Sequence, residues 1–212
     1  MTPIVSASML ILGAYALGSL SGSLLLGKLR GGVDIRTQGS GNAGGTNAFR
    51  TQGAKFALAA VVIDIGKGAL AAWVGLRFAD DGNVAWLPYA TAFAAAIGHV
   101  WPLWHGFRGG KGAATVVGGI VVLWPAAVPL LLAVWLGVLI LTGYVGLSTI
   151  LAGVSLALLA VTTHAEPVRL SFAIAVALLL LFTHRANIAR LRAGTESRFE
   201  KARLLHRWAR RG

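Results

Sequence analysis

Long apolar runs alternate along the chain with short polar stretches rich in glycine. A membrane-spanning helix needs roughly 17–25 mainly apolar residues, and the runs 4–26, 54–76, 84–104, 146–163 and 168–184 meet that length. The apolar stretch 113–142 is too long for one untilted helix and short for two. Trp124-Pro125 and Pro129 interrupt its middle. Proline removes a backbone donor and clashes with the preceding turn, so the pattern predicts a tight break between short helices at 113–124 and 126–142.

Charge decides between six and seven spans. Sixteen of the nineteen Lys and Arg residues fall between Lys28 and Lys55, at Arg108 and Lys111, between Arg185 and Arg192, and between Arg198 and Arg211. Arg77 and Arg169 occupy the other loops, and Lys67 lies inside a span. Seven spans place all four basic clusters on the cytoplasmic side, with the acidic loops around Asp80-Asp81 and Glu166 outside. Six spans would export the tail. Because Lys and Arg near span ends stay in the cytoplasm, the expectation is seven transmembrane helices, some short, with the N-terminus outside and the C-terminus cytoplasmic. Lys28 and Arg30 follow the first apolar run, where the charges of a cleaved signal would precede it. The expected fold class is therefore an all-α integral membrane protein, a single multi-span domain over residues 1–212. Residues 197–212 form a basic cytoplasmic tail that reads as an amphipathic or frayed surface segment.

Composition agrees: 56% of residues are hydrophobic, 12% are charged, and the mean hydropathy is +0.73, values outside the range of soluble domains. A net charge of +12 would suggest nucleic acid in a soluble protein. Here the basic residues sit at span ends, which implies topology and contact with anionic lipid headgroups instead. The absence of cysteine excludes disulfides, thiolate metal sites and a thiol nucleophile. No ligand cluster for a metal is visible, and no cofactor is implied.

Seven spans put every donor-rich segment on one side. The first, Ser40–Arg50, has the sequence SGNAGGTNAFR. Glycines let successive backbone N–H groups turn toward one centre, a nest that favours an anion. Ser40, Asn42, Thr46 and Asn47 add side-chain donors beside the backbone of Gly41, and the planar fork of Arg50 matches phosphate oxygens. Gly39, Gly41 and Gly44 satisfy GxGxxG, but no strand precedes them, so a dinucleotide site is a poor reading. The second, Gly98–Thr115, has the sequence GHVWPLWHGFRGGKGAAT. It places Gly109, Gly110 and Lys111 at the start of a helix, where free N–H groups favour anions. Gly112 after Lys111 rules out a Walker A loop. YVGLST at Tyr144–Thr149 and HRANIARLRAGTE at His184–Glu196 are the third and fourth. On a helix, His184 and Asn187 would share one face. Plainer readings compete: a flexible connector for the first segment, positive-inside anchors for Arg108 and Lys111, and an interfacial ring for His184. Asp64 and Lys67, three apart within a span, form either a structural pair or a functional one. Asp64 lies too deep to serve as catalytic base.

Taken together, these four motifs in this order resemble the bacterial acyl-phosphate-dependent glycerol-3-phosphate acyltransferases of the PlsY type, over almost the whole chain. The resemblance implies a seven-helix enzyme of the bacterial plasma membrane, with its active site at the cytoplasmic face. Such an enzyme moves an acyl group from acyl phosphate to the 1-hydroxyl of glycerol 3-phosphate, giving lysophosphatidate and phosphate for phospholipid synthesis. It also implies a functional link to an enzyme that produces acyl phosphate. Phosphate and substrate binding carry over to Ser40, Gly41, Asn42, Thr46, Asn47, Arg50, Gly109, Gly110 and Ser148 or Thr149, and near-catalytic roles to Lys111, His184 and Asn187. Acyl phosphate is already activated, so no covalent enzyme intermediate is required. Direct attack is expected, with Lys111, Arg50 and backbone N–H groups stabilising the departing phosphate. The base is His184 or, preferably, a phosphate oxygen of a substrate. An anion transporter or a lipid-binding scaffold are the competing classes. The first predicts polar groups at mid-membrane in several spans, and the second leaves the Ser40–Arg50 segment without purpose.

Overall fold

A computed structural model describes residues 3–79 and 84–202. The Asp80-Asp81 loop and most of the basic tail lie outside the described residues. Within them every regular element is helical: α1 (Pro3–Gly18), α2 (Gly22–Leu29), α3 (Gly45–Gln52), α4 (Ala54–Ala79), α5 (Leu87–Val100), α6 (Ala113–Leu123), α7 (Val128–Thr142), α8 (Val145–Thr162), α9 (Pro167–Thr183) and α10 (Arg185–Arg192). Three helices are individually long and apolar enough to cross a membrane: Ala54–Ala79, Pro125–Thr142 with its leading 3-10 turn, and Val145–Thr162. Two bent pairs, α1 with α2 at 50° and α9 with α10 at 56°, raise the number of candidate spans to five. At 14 and 11 residues, α5 and α6 are shorter than a bilayer requires. The break foreseen in 113–142 is present: α6 ends on Trp124, whose backbone the following proline biases away from helix. The helices group into two compact units, Met1–Pro125 and Ala126–Gly212, divided at this break.

In the first unit α4 packs against α5 and α6, and α1 against α5. Glycine makes these approaches close. A Cβ on Gly68 of α4 would overlap the carbonyl oxygen of Thr115, and one on Gly118 of α6 would overlap that of Ile65. Small residues at helix crossings are the usual solution where lipid supplies no hydrophobic drive between helices. In the second unit α8 lies between α7 and α9, with Gly153 pressed against Leu180.

One expectation fails in detail. The run 4–26 is not one helix but stops at Gly18 and restarts at Gly22. Breaking a helix in lipid orphans carbonyls on one side and N–H groups on the other, which must be satisfied internally. Here α4 supplies both partners. The Lys67 ammonium donates to the carbonyls of Gly18 (2.8 Å) and Leu20 (2.9 Å), while Asp64 Oδ1 accepts the N–H of Gly22 (3.0 Å). Each charge also meets the helix-dipole end of opposite sign. Asp64 and Lys67 pair with each other at 2.9 Å, with side chains only 2% and 3% exposed. The hydropathy pattern runs unbroken through Ser19-Leu20-Ser21 because it does not register backbone hydrogen bonding.

Gly66 and Gly68, two residues apart in α4, provide a test. Open space surrounds Gly66, so Gly66→Ala should hold or raise the thermal midpoint in detergent, the helix gaining about 0.5–1 kcal/mol. Gly68→Ala should lower it, overpacking costing about 1–3 kcal/mol.

Candidate functional site

The first segment begins with a loop wrapped around one buried side chain. Asn47, 2% exposed, points its amide nitrogen at the carbonyls of Ile35 (2.9 Å), Gln38 (3.0 Å) and Asn42 (3.0 Å). Its Oδ1 accepts the N–H of Ser40 at 2.9 Å. Anticipated among the phosphate donors, Asn47 instead directs its amide to the loop's own backbone and sets the loop's shape. Asn42 turns the chain by accepting the N–H of Gly44, the N-cap of α3. The segment is thus half loop and half helix. Thr46 lies in the first turn of α3, and Ser40, Thr46 and Arg50 are exposed.

The second segment folds back on the end of α5. The N–H groups of Gly109 and Gly110 donate to the carbonyls of Val100 and His99, each at 3.1 Å. Gly110 meets the edge of the His99 ring, where a Cβ would overlap Nε2. Lys111 follows, half-buried. Gly112, at φ 84°, caps α6 in a left-handed conformation that favours glycine. In the first turn of α6 the Thr115 hydroxyl is buried without a hydrogen-bond partner.

These two segments meet. Ala43 N–H points at the carbonyl of Gly109 (3.5 Å), and Arg36 binds the carbonyls of His105 and Arg108, each at 2.8 Å. Arg36 also forks onto Asp34, with Nη2 2.7 Å from Oδ2. Hydrogen bonding from Arg36 holds the Asp34 carboxyl below its ordinary value, and Asp34 raises Arg36 in return. Burial, then the Arg36 charge, pushes His105 down. The sequence reading gave Asp34, Arg36 and His105 no role; the short Asp-x-Arg spacing was the available signal. Two helix N-termini, those of α3 and α6, therefore belong to one loop cluster that also carries Arg50 and Lys111, an arrangement suited to anions.

The third and fourth segments come together in the second unit. Phe199 N–H donates to the carbonyl of Gly143 (2.7 Å). Arg198 donates to the Tyr144 hydroxyl (2.8 Å) and covers its ring at 5.1 Å. Ser148 and Thr149, both buried, donate to the carbonyls of Tyr144 and Val145 at 2.9 Å, and Thr149 also accepts from Trp135 Nε1 (3.1 Å). His184 and Asn187 do not share one continuous helix: His184 occupies the bend between α9 and α10. His184 Nδ1 lies 2.8 Å from the Leu180 carbonyl, so Nδ1 carries the proton and the acceptor nitrogen of a neutral ring is Nε2. Asn187 packs against Gly146 and donates to Glu196 Oε1 at 2.6 Å. Arg190 binds the other oxygen of Glu196, also at 2.6 Å. Glu196, its side chain 6% exposed, is the centre of this cluster, a role its place at the end of the motif did not reveal.

The glycerol-3-phosphate acyltransferase family model matches residues 8–194. The glycerol-3-phosphate acyltransferase of Halalkalibacterium halodurans is 41% identical over 90% of this chain and 94% of that protein. The one from Aquifex aeolicus is 37% identical over 92% of this chain and all (100%) of that protein. Among solved structures, PlsY (YgiH), an integral membrane glycerol 3-phosphate acyltransferase, superposes in its glycerol 3-phosphate form with a TM-score of 0.85 and 36% identity, covering 92% of this chain and 96% of that one. Its lysophosphatidic acid form gives 0.83 and 35%, covering 91% and 95%.

Two outcomes follow from the loop geometry. Asn47→Asp keeps the acceptor for Ser40 but orphans the loop carbonyls; it should cost about 1–3 kcal/mol and accelerate amide exchange in residues 39–44. Because folding depresses the Asp34 pKa, the Asp34–Arg36 clamp stabilises fully above the unfolded value of 3.8 and is lost as pH falls through the lower folded value. Exchange in the same loop should therefore rise only below about pH 4, and Asp34→Asn should abolish that acid dependence.

Proposed function

Because the chain belongs to the glycerol-3-phosphate acyltransferase family, we propose that it transfers a fatty acyl group from acyl phosphate to the 1-hydroxyl of glycerol 3-phosphate, giving lysophosphatidate and phosphate. The observation that carries this reading is the pairing of the two glycine-rich segments through Ala43, Gly109 and Arg36. Two anion-favouring helix starts with Arg50 and Lys111 suit a reaction whose substrates each bear a phosphate.

The hydroxyl oxygen of glycerol 3-phosphate attacks the acyl carbon. The bond from that carbon to the phosphate oxygen breaks, and phosphate leaves with the electron pair. Lys111, Arg50 and the first turns of α3 and α6 stabilise the charge gathering on the leaving group, while Gly41, Gly109 and Gly110, whose N–H groups are bonded to the carbonyls of Gln38, Val100 and His99, shape the loops that carry them. Ser40, Asn42 and Thr46 add donors, and Asn47 acts through the loop it shapes. The hydroxyl proton passes to a substrate phosphate oxygen, with His184 and Asn187 orienting the acceptor. Ser148 and Thr149, whose protons go to helix carbonyls, line this end of the second unit. No cofactor enters the scheme.

The same reading places seven spans in a bacterial plasma membrane: α1 with α2, then α4 to α9 in turn, N-terminus outside and active site at the cytoplasmic face. The basic clusters at the ends of these helices support it. The protein then acts in phospholipid synthesis and draws on an acyl-phosphate-producing enzyme.

Purified protein in lipid should release phosphate and form lysophosphatidate only when acyl phosphate and glycerol 3-phosphate are both present. Lys111→Met should lower kcat by about 100- to 1,000-fold, the usual loss of one charge-stabilising donor. Transfer from an acyl thioester in place of acyl phosphate would refute the donor assignment.

A further inference from the structure

The buried trio of Asp64, Lys67 and His99 is more elaborate than the break in the first span demands. Lys67 and Asp64 alone cap that break, yet His99 joins them from α5. Its Nδ1 lies 3.2 Å from Asp64 Oδ1 and 2.9 Å from Lys67 Nζ, and all three side chains are within 5% of full burial. The ring is held in either tautomer: Nδ1–H donates to the carboxylate, or the Nδ1 lone pair accepts from the ammonium. The opposite edge of the ring, at Nε2, supports Gly110 so closely that a Cβ there would overlap it. The His99 carbonyl takes the Gly110 N–H at 3.1 Å. Lys111 is the next residue.

We propose that Asp64, Lys67 and His99 are positioning residues: through the His99 ring they fix the Gly109–Lys111 loop in the conformation that presents Lys111 to the departing phosphate. The proposal rests on the transferase reading above. The trio has no need to touch the substrate. A buried ion pair adds little net stability over well-packed apolar residues of the same size, whereas a ring locked on one edge by two charges gives the loop on its other edge a single height and tilt. Loop placement within fractions of an ångström governs how well a bound phosphate is held.

The test separates positioning from mere folding. His99→Phe keeps a ring of similar volume and leaves Asp64 paired with Lys67, but removes the anchor at Nδ1. Its kcat should fall at least about 10-fold, with KM for either substrate changed far less. That ratio corresponds to about 1.4 kcal/mol. His99→Asn, whose amide nitrogen reproduces the Nδ1 position, should recover part of the rate. In a double-mutant cycle Gly110→Ala should cost less in a His99→Ala background than alone, because the new methyl occupies the space of the ring. Wild-type kcat in folded His99→Phe, or additive effects in the cycle, would overturn the proposal, as would failure of both His99→Phe and His99→Asn to fold, which would make the trio structural. If the wild-type protein lacks transfer activity altogether, the functional reading fails first and the relay falls with it.

Discussion

The constraint on which the first unit depends is that a chain in lipid has no water to satisfy a broken backbone. The first apolar run stops between Gly18 and Gly22, and the exposed ends would each cost several kcal/mol in hydrocarbon, on the order of a lost hydrogen bond per group. Lys67 and Asp64 remove that penalty by presenting a cation to the carbonyl end of α1 and an anion to the N–H end of α2. Only then can α2 turn by 50° and deliver the Asp34–Ala43 loop against the loop that follows α5. A substitution deep in α4 is thus felt at a polar loop that it never touches.

A second constraint is length. With 14 and 11 residues, α5 and α6 leave the connecting loop to fold down onto His99 and Val100. Short helices place more helix ends within one small region, and each end presents unpaired N–H groups or carbonyls. The protein obtains its anion-favouring cluster from the ends of helices that stop early, not from a dedicated domain. Glycine is what allows it: Gly68 and Gly118 bring α4 and α6 to backbone contact, and Gly110 lets the loop rest on an imidazole edge.

Much of this was legible in the sequence, and the rest was hidden for physical reasons. Apolar run lengths and the Trp124-Pro125 interruption gave the helix order because burial in lipid is written in composition. Glycine and hydroxyl content marked the four polar segments, and the structure joins them as two pairs, first with second and third with fourth. What composition could not show is which donors face the chain itself. Asn47 and Asn42 look identical on paper to ligand-binding amides, yet one holds a loop together and the other turns it. The helical pattern also ran straight through His184, although a 56° bend separates it from Asn187. Asp34, Arg36 and Glu196 escaped notice because their importance lies in bonds to residues distant in sequence.

A common logic links the two clusters. In each, one buried polar side chain gathers several loop groups: Asn47 collects three carbonyls and an N–H, and Glu196 collects Asn187 and Arg190. Groups committed in this way have their orientation fixed before any ligand arrives, so the ordering cost is met during folding and not during binding. For acyl transfer to glycerol 3-phosphate this matters doubly, because loops free to collapse onto a dianion would bind ground state and transition state alike and gain nothing in rate. The donors left at the surface, Ser40, Thr46 and Arg50, stand on a frame whose own hydrogen bonds are already made. That division of labour, inner amides and carboxylates for shape and outer hydroxyls and cations for charge, is what allows each unit to hold ordered polar loops beside its apolar helices.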